Sequence, residues 1–373
     1  MYHFVDSKGV YLIDKKGNKY LDLISGIAVN NIGHKNKKVI KAISKQINKF
    51  SHQMVYGEYV IGPQVKLAKR LAKQLPQELQ SFYFLSSGSE AVEGAIKLAK
   101  KHTKRGKIVA MRNAYHGSTS GPLSLMSDEY YSGPFKPLLP NVYFADFNNS
   151  ASLDVIDNET AAVFIEPIQA EKGYIPANQA FLEALRAKCN QTGTLLVFDE
   201  IQTGIGRTGK LFAFEHYNIT PDILLSAKAL GGGLPLGVFI SSQEIMASLG
   251  DNPILGHITT FGGHPVSCAA GNAALKFLLK SKHIQEVEEK EALFRELLVH
   301  PKIKKINGKG LMLAVQLDSF DEVENAMKKC IENGVIVDWF LYNMECLRIS
   351  PPLTISKEKI KEVCKVLLSS LED

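Results

Sequence analysis

Three stretches of this chain place reactive side chains at the ends of apolar runs. Leu195-Leu196-Val197-Phe198 ends in Asp199, with Gln202 one turn beyond. Ile223-Leu224-Leu225 leads to Lys228, which sits between Ala227 and Ala229 and ahead of Gly231-Gly232-Gly233. Ser86-Ser87-Gly88-Ser89-Glu90 follows Phe82-Tyr83-Phe84-Leu85 and opens a helical pattern. A lysine in an apolar pocket has a lowered pKa and is nucleophilic near neutrality. A carboxylate at a buried strand end needs a partner, either a nearby arginine or a protonated ring nitrogen. Free N–H groups at a helix start suit a dianionic phosphate, although a plain helix cap is the commoner reason for such a serine. An amine, an acid and a phosphate cradle at strand ends are together the parts that hold pyridoxal phosphate. The lysine would form the Schiff base, the aspartate would pair with the pyridinium nitrogen, and the cradle would take the phosphate.

The elements that must position these groups read as an α/β fold. Lys107–Met111, 161–165, 195–198, 223–225 and 238–240 are near-continuous apolar runs that alternate with helical patterns, as expected for a mostly parallel sheet covered on both faces. Ligands of such sheets bind beyond the carboxyl ends of the strands, where Ser87, Gly88, Ser89, Glu166, Asp199 and Lys228 fall. The opening residues read as a hairpin around Lys16-Gly17-Asn18. Amphipathic helices are expected over about 36–50 and from Pro63 onward. After Gly263 a long helical stretch leads to a tail with a strand over 311–317 and helices over about 321–333 and 356–371. The expected organisation is a small domain built from both termini, residues 1–40 and 266–373, around a large cofactor-binding domain, residues 41–265.

Composition narrows the function classes. With 45% hydrophobic and 22% charged residues the chain has ample material for a globular core. No apolar run approaches a membrane span, and the N-terminus lacks a basic stretch followed by an apolar one, so a cytoplasmic protein is expected. The five cysteines are scattered singly and the histidines show no metal-ligand spacing, so reduced thiols and no metal site are expected. The net charge of +6 comes from lysines spread along helix faces without interleaved aromatics, which argues against nucleic acid.

With these motifs in view the chain resembles the class III pyridoxal-phosphate-dependent aminotransferases of acetylornithine, ornithine and 4-aminobutyrate type. The resemblance runs from Gly26-Ile27-Ala28-Val29 to Arg348-Ile349-Ser350-Pro351 and is most specific between Val197 and Gly237. It implies the fold type I transferase architecture. It also assigns roles by position. Lys228 and Asp199 are catalytic. Gly88 and Ser89 bind the phosphate, with serine for the usual threonine. Tyr115, in Ala114-Tyr115-His116-Gly117, stacks on the pyridine ring, Glu166 lies at the cofactor, and Gln202 approaches the phenolic oxygen. Thr260, in Ile258-Thr259-Thr260-Phe261-Gly262-Gly263, reaches the phosphate of a neighbouring subunit, which implies a homodimer with shared sites, and Thr259 stands beside the substrate. Arg348 binds a substrate carboxylate, and Glu171 masks it when none is present. The implied partners are a small-molecule amine and a 2-oxo acid.

Two places depart from that pattern. Relatives of ornithine type carry an arginine after the His-Gly pair, and here the position is Ser118, which has no charged fork for a carboxylate. The family's Glu-Gly-Glu-Gly-Gly reads Gln169-Ala170-Glu171-Lys172-Gly173. The expected activity is transfer from an ω-amine of ornithine or acetylornithine type to 2-oxoglutarate. Alternatives are a 4-aminobutyrate-, lysine- or diamine-type aminotransferase, an aminomutase, or a cofactor-binding regulatory module without turnover. Gly204-Ile205-Gly206-Arg207-Thr208-Gly209 satisfies the dinucleotide fingerprint but is not flanked by a strand and a clean helix, so it is read as a turn-rich loop.

Overall fold

A computed structural model describes residues 2–372. The chain opens with antiparallel strands β1 (Phe4–Lys8), β2 (Tyr11–Asp14) and β3 (Lys19–Asp22). The β2–β3 turn closes as Asp14 accepts backbone N–H groups from Lys16 and Asn18, with Gly17 at φ +85°. Helix α1 (Lys37–Ile47) starts on the side-chain cap of Asn36, and α2 (Gly62–Ala72) carries Pro63 in its first turn, where a missing N–H costs nothing.

The centre is a seven-stranded sheet formed by β4 (Ser81–Leu85), β5 (Lys107–Met111), β6 (Val142–Ala145), β7 (Thr160–Ile165), β8 (Leu195–Asp199), β9 (Ile223–Ser226) and β10 (Gly237–Ser241), in the spatial order β4-β10-β9-β8-β7-β5-β6. Only β10 runs against the rest, being antiparallel to both its neighbours. Every residue of β7, β8, β9 and β10 is buried, which is why these strands read as unbroken apolar runs. Helices α3 (Gly88–Thr103) and α4 (Gln179–Thr192) lie on the sheet through their apolar faces. Because β4, β5, β7, β8 and β9 are all parallel, the loops leaving them gather along one edge. Edge strand β6 is not among the strands expected from the sequence, since a four-residue run is too short to show a period.

Helix α5 (Pro265–Leu279) leads away from the sheet to α6 (Val287–Leu297). A second, antiparallel sheet follows, with the order β11-β12-β15-β14 for β11 (Lys305–Gly308), β12 (Leu313–Gln316), β14 (Asp338–Phe340) and β15 (Asn343–Ile349). Helices α7 (Phe320–Glu332) and α8 (Lys357–Ser370) cover this part. Between α7 and β14, strand β13 (Val335–Ile336) pairs in parallel with β3, joining the N-terminal hairpin to the C-terminal part of the chain.

Candidate active site

At the carboxyl edge of the large sheet lies a cavity of about 430 Å³, and its walls are the ends of five parallel strands. From β4 come Ser87, Gly88 and Ser89; from β5, Tyr115, His116 and Gly117; from β7, Glu166; from β8, Asp199, Ile201 and Gln202; and from β9, Lys228. Residues far apart in sequence, from Ser87 to Lys228, thus meet because parallel strands put all their carboxyl ends on one side.

The acid at the end of β8 is fixed tightly. Asp199 Oδ2 lies 2.7 Å from His116 Nδ1, and Asp199 Oδ1 accepts the backbone N–H of Ile201. Both side chains are buried. Burial works against a charge on His116, but the hydrogen bond to Asp199 and the carboxylates of Asp199 and Glu166 outweigh it and raise its pKa. The side-chain partner of Asp199 is therefore a histidine, and not the nearby arginine that is one of the two alternatives expected from the sequence. His116 stands inside the Tyr115-His116-Gly117 motif, but nothing local indicates that it meets a residue 83 positions further on. Glu166 accepts the backbone N–H groups of Tyr115 and Ala170, each at 3.1 Å. Its burial, aided by the nearby Asp199 charge and opposed by His116, pushes it up to about 8.

Lys228 sits in the left-handed region at φ +46°, a conformation that costs a non-glycine residue roughly 1 kcal/mol or more. Its ammonium takes part in no hydrogen bond or ion pair among the described residues. Desolvation lowers its pKa, helped by Arg348, against the pull of Glu171, Asp199 and Glu166. A strained, desolvated and unpaired amine is poised for nucleophilic work.

The start of α3 supplies the cradle. Ser87 Oγ takes the N–H of Glu90 and Ser87 O takes that of Ala91, leaving the N–H groups of Gly88 and Ser89 without intrahelical partners. A sixteen-residue helix adds its dipole there. The packing leaves little room for a side chain at two glycines, and Gly117 also has a φ of +126°. A Cβ on Gly117 would lie 2.3 Å from Ser89 Oγ, and one on Gly88 would lie 2.9 Å from Ile201 Cδ1. Pyridoxal phosphate presents an anion, a basic ring nitrogen and an aldehyde. The donors of α3, the Asp199–His116 pair and the Lys228 amine match these in turn, so the residues present fit the group.

A second cavity of about 370 Å³ adjoins the first and shares Lys228 and Tyr115 with it. Its far wall is an ion pair: Arg348 Nη2 lies 2.7 Å from Glu171 Oε2, and Nη1 lies 3.2 Å from Oε1. Burial alone would raise Glu171, but the charge and hydrogen bonds of Arg348, with Lys228 adding its charge, hold the carboxyl below its usual range. Arg348 also stacks on Phe340, 4.2 Å from the ring centre, and reaches Gln202 Oε1 at 3.3 Å. Gln202 in turn accepts a hydrogen bond from Tyr174. Asp338, Trp339, Leu341 and Ile27 complete the lining. Ile27 stands in the segment where the family resemblance begins, and the other three are singled out by no sequence motif.

The remaining candidates lie apart. Ser118 is exposed, with its Oγ 3.2 Å from Tyr115 Oη, and does not line either cavity. Thr259 borders a separate hollow beside Gln64 and Phe84, and Thr260 is exposed outside all three. The Gly204–Gly209 segment is a run of turns. Its Arg207 is fully buried and donates to the carbonyls of Leu311 and Pro351 and to Asn31, so this segment is a structural tie.

Comparison with known proteins bears on this arrangement. The family described as "Aminotransferase class-III" matches residues 1–371. A [LysW]-aminoadipate semialdehyde/glutamate semialdehyde transaminase of Sulfolobus acidocaldarius is 38% identical over 372 residues, covering 98% of this chain and 94% of the relative. An acetylornithine aminotransferase of Methanocaldococcus jannaschii is 39% identical over 377 residues, covering 97% and 92%. The crystal structure of ornithine aminotransferase from Toxoplasma gondii ME49 superposes with a TM-score of 0.92 at 29% identity, covering 99% of this chain and 90% of that one. The chain belongs to the class III aminotransferases, and is a transaminase of fold type I that depends on pyridoxal phosphate and acts on small molecules.

Proposed function

We propose that this enzyme moves an amino group from an ω-amine of ornithine or acetylornithine type to 2-oxoglutarate. The observation that carries the reading is that Lys228 and Tyr115 belong to both cavities at once. One reactive amine thus serves a fixed cofactor end and a carboxylate-binding end. When bound, pyridoxal phosphate supplies an aldehyde for the amino group and an electron sink for the carbon next to it.

The protein's own groups do the rest. Gly88 and Ser89 hold the phosphate through backbone N–H groups and a hydroxyl. Asp199, oriented by His116, would hold a protonated ring nitrogen, and Tyr115 and Ile201 would flank the ring. Gln202, on the same wall, would face the phenolic oxygen. Burial pushes Glu166 up to about 8, with the neighbouring Asp199 charge adding to the rise. Lys228 holds the cofactor between turnovers. Its lowered pKa would suit the freed Lys228 amine to act as general base and acid toward the substrate carbon. With Glu171 on Arg348 the site presents no free cation to an amine donor. When Glu171 withdraws, the Arg348 fork takes the carboxylate of the 2-oxo acid. Thr260 of each subunit completes the phosphate site of its partner in a homodimer, with Thr259 beside the substrate.

A second reading, a transaminase of aminoadipate semialdehyde type, is favoured by the 38% identical relative and by Ser118 in place of arginine. The deciding experiment is a set of half-reactions with ω-amines, each followed spectrally without an acceptor and then with 2-oxoglutarate. Borohydride reduction and peptide mapping should put the pyridoxyl label on Lys228. A label elsewhere, or regeneration by every 2-oxo acid except 2-oxoglutarate, would overturn the assignment. For the shared site, mixed dimers of Lys228→Ala and Thr260→Val chains should regain part of the activity, because one site carries both defects and the other neither. No recovery would argue for separate sites.

A further inference from the structure

The charge balance of the second cavity is not settled by its ion pair. Glu171 and Arg348 cancel each other, and one more carboxyl, that of Asp338, lines the same space. Asp338 stands directly across from Arg348 in the β14–β15 ladder, so their side chains leave the sheet on the same face. Opposed in this way, the two would be expected to pair. They do not: both terminal nitrogens of Arg348 are turned to Glu171, and its Nε donates to the Trp339 carbonyl. The Asp338 carboxyl is met by the backbone N–H of Trp339 and enters no ion pair among the described residues. Burial raises its pKa, and the Trp339 N–H and the charge of Arg348 pull the other way. An acid that is partly buried, lacks a cationic partner and opens onto the reactive lysine's cavity is a costly arrangement unless a ligand supplies the missing cation.

We propose that Asp338 is the specificity-determining residue for the amino donor, and that it selects donors carrying a second positive charge, of the α,ω-diamine class, by pairing with the amine that does not react. This rests on the reading that an ω-amine enters through the cavity of Glu171 and Arg348. While Glu171 covers Arg348, the Asp338 carboxyl on the same wall is left without an ion-paired cation among the described residues, which favours a donor that brings one. When Glu171 leaves for the acceptor half-reaction, Arg348 becomes available to a carboxylate. One wall thus offers an anion to the donor and a cation to the acceptor. Ser118 fits the same logic, because the position where relatives of ornithine type grip a carboxylate is uncharged here.

The test uses the holoenzyme with 1,4-diaminobutane and butan-1-amine as donors in half-reactions. It adds their fully N-methylated analogues, which cannot be transaminated, as binding probes in calorimetry. Wild type should prefer the diamine to the monoamine by about tenfold or more in kcat/KM and bind the methylated dication tighter than the monocation by a similar factor. Asp338→Asn, which preserves shape, should erase both preferences, and Asp338→Glu should restore part of them. The same Asn variant should hold or lower the KM for 2-oxoglutarate, since it removes an anion beside Arg348. A merely structural role would instead weaken donor and acceptor together. If Asp338→Asn keeps the dication preference, or loses both substrates equally, the proposal is wrong. If the methylated dication binds in an Asp338-dependent way but no ω-amine is turned over, Asp338 still reads the second charge and it is the ω-amine reading that fails.

Discussion

At the cofactor end of the active site, both carboxylates are held by fixed partners at the edge of one sheet. Asp199 has His116 and the Ile201 N–H, Glu166 has two backbone N–H groups, and Gly88 and Ser89 sit at the start of a sixteen-residue helix. The substrate end is assembled from distant parts of the chain. Ile27 comes from the N-terminal region, Glu171 from the turn between the short paired strands Ile168–Gln169 and Ile175–Pro176, and Asp338 and Arg348 from the C-terminal sheet. Its central contact is a buried ion pair between side chains from two different elements, Glu171 and Arg348. The cofactor stays through both half-reactions, so its site gains from rigidity. In the proposed function two substrates of different charge alternate in the other site, which calls for a reversible contact.

The largest effect expected from breaking the fixed end is at Asp199. Asp199→Asn leaves an acceptor for His116 and removes the charge that would protonate the ring nitrogen. We expect kcat to fall on the order of a thousandfold, about 4 kcal/mol of barrier, with a much smaller loss of cofactor affinity because the phosphate cradle and Lys228 remain. Steady-state kinetics and a cofactor titration read the two quantities separately. Turnover near the wild-type level would remove Asp199 from the mechanism.

The next effect is thermodynamic. Glu166 has a folded pKa of about 8 against an ordinary 4.5, so the native state binds its proton more tightly than the unfolded chain does. The stability linked to that proton is fully present below about pH 4.5 and is lost as pH rises through 8. His116, also raised, adds a slope of the same sign above its ordinary 6.5. Glu166→Gln keeps an acceptor and deletes the titration. The variant should therefore gain stability over wild type by a few kcal/mol between pH 5 and pH 9. The expected size is roughly 1.4 kcal/mol for each tenfold difference in proton affinity between the folded and unfolded chain, less what relaxation recovers. Thermal or urea unfolding of protein purified without cofactor reads this directly. Parallel stability curves for the two proteins would mean that Glu166 is not held protonated by the fold.

The fixed end is also the more legible one in the sequence. Asp199, Lys228 and the Ser87–Ser89 segment each end an apolar run, and a parallel sheet gathers such ends whatever the intervening chain does. Pairing is what the sequence hides. His116 belongs to a recognisable motif, but its bond to Asp199 spans the sheet and leaves no local periodicity. At the substrate end Glu171 and Arg348 lie 177 positions apart and only family resemblance links them, while Asp338 lies in a three-residue strand too short to show alternation. Arg207 is the converse case. Its glycine-rich segment has the form of a ligand motif, yet the residue is anchored by backbone carbonyls, and burial lowers its pKa to about 10. Spacing alone does not separate a buried structural arginine from a buried functional one. The partner does, backbone carbonyls for Arg207 and a carboxylate for Arg348.

Opening the reversible end should have a smaller effect, of opposite sign for the two substrates. Glu171→Gln keeps a hydrogen bond to Arg348 but removes the charge that covers it. Arg348 is then an uncompensated buried cation that a carboxylate can satisfy. The KM for 2-oxoglutarate should fall, and kcat/KM for an amine donor should drop by about tenfold. A variant that weakens both substrates alike would show that Glu171 only supports Arg348 and does not alternate with the acceptor.

The smallest effect is expected at the rim. Ser118 is exposed and held only by a 3.2 Å contact to Tyr115 Oη. A guanidinium placed there would be solvated, and an exposed ion pair contributes about 0.2–1 kcal/mol, well short of a buried fork. Ser118→Arg should therefore improve kcat/KM for N-acetylornithine only severalfold, and should leave a carboxylate-free diamine unchanged or slightly worse through charge repulsion. Wild type should favour the diamine over N-acetylornithine, and the substitution should narrow that gap without closing it. The two donors can be compared in one competition assay against limiting enzyme, where the product ratio gives the ratio of kcat/KM directly. If wild type already prefers N-acetylornithine, a cation other than Ser118's missing arginine must meet its carboxylate. The substrate end would then be set for a carboxylate in both half-reactions, and the contrast between its donor and acceptor states would disappear.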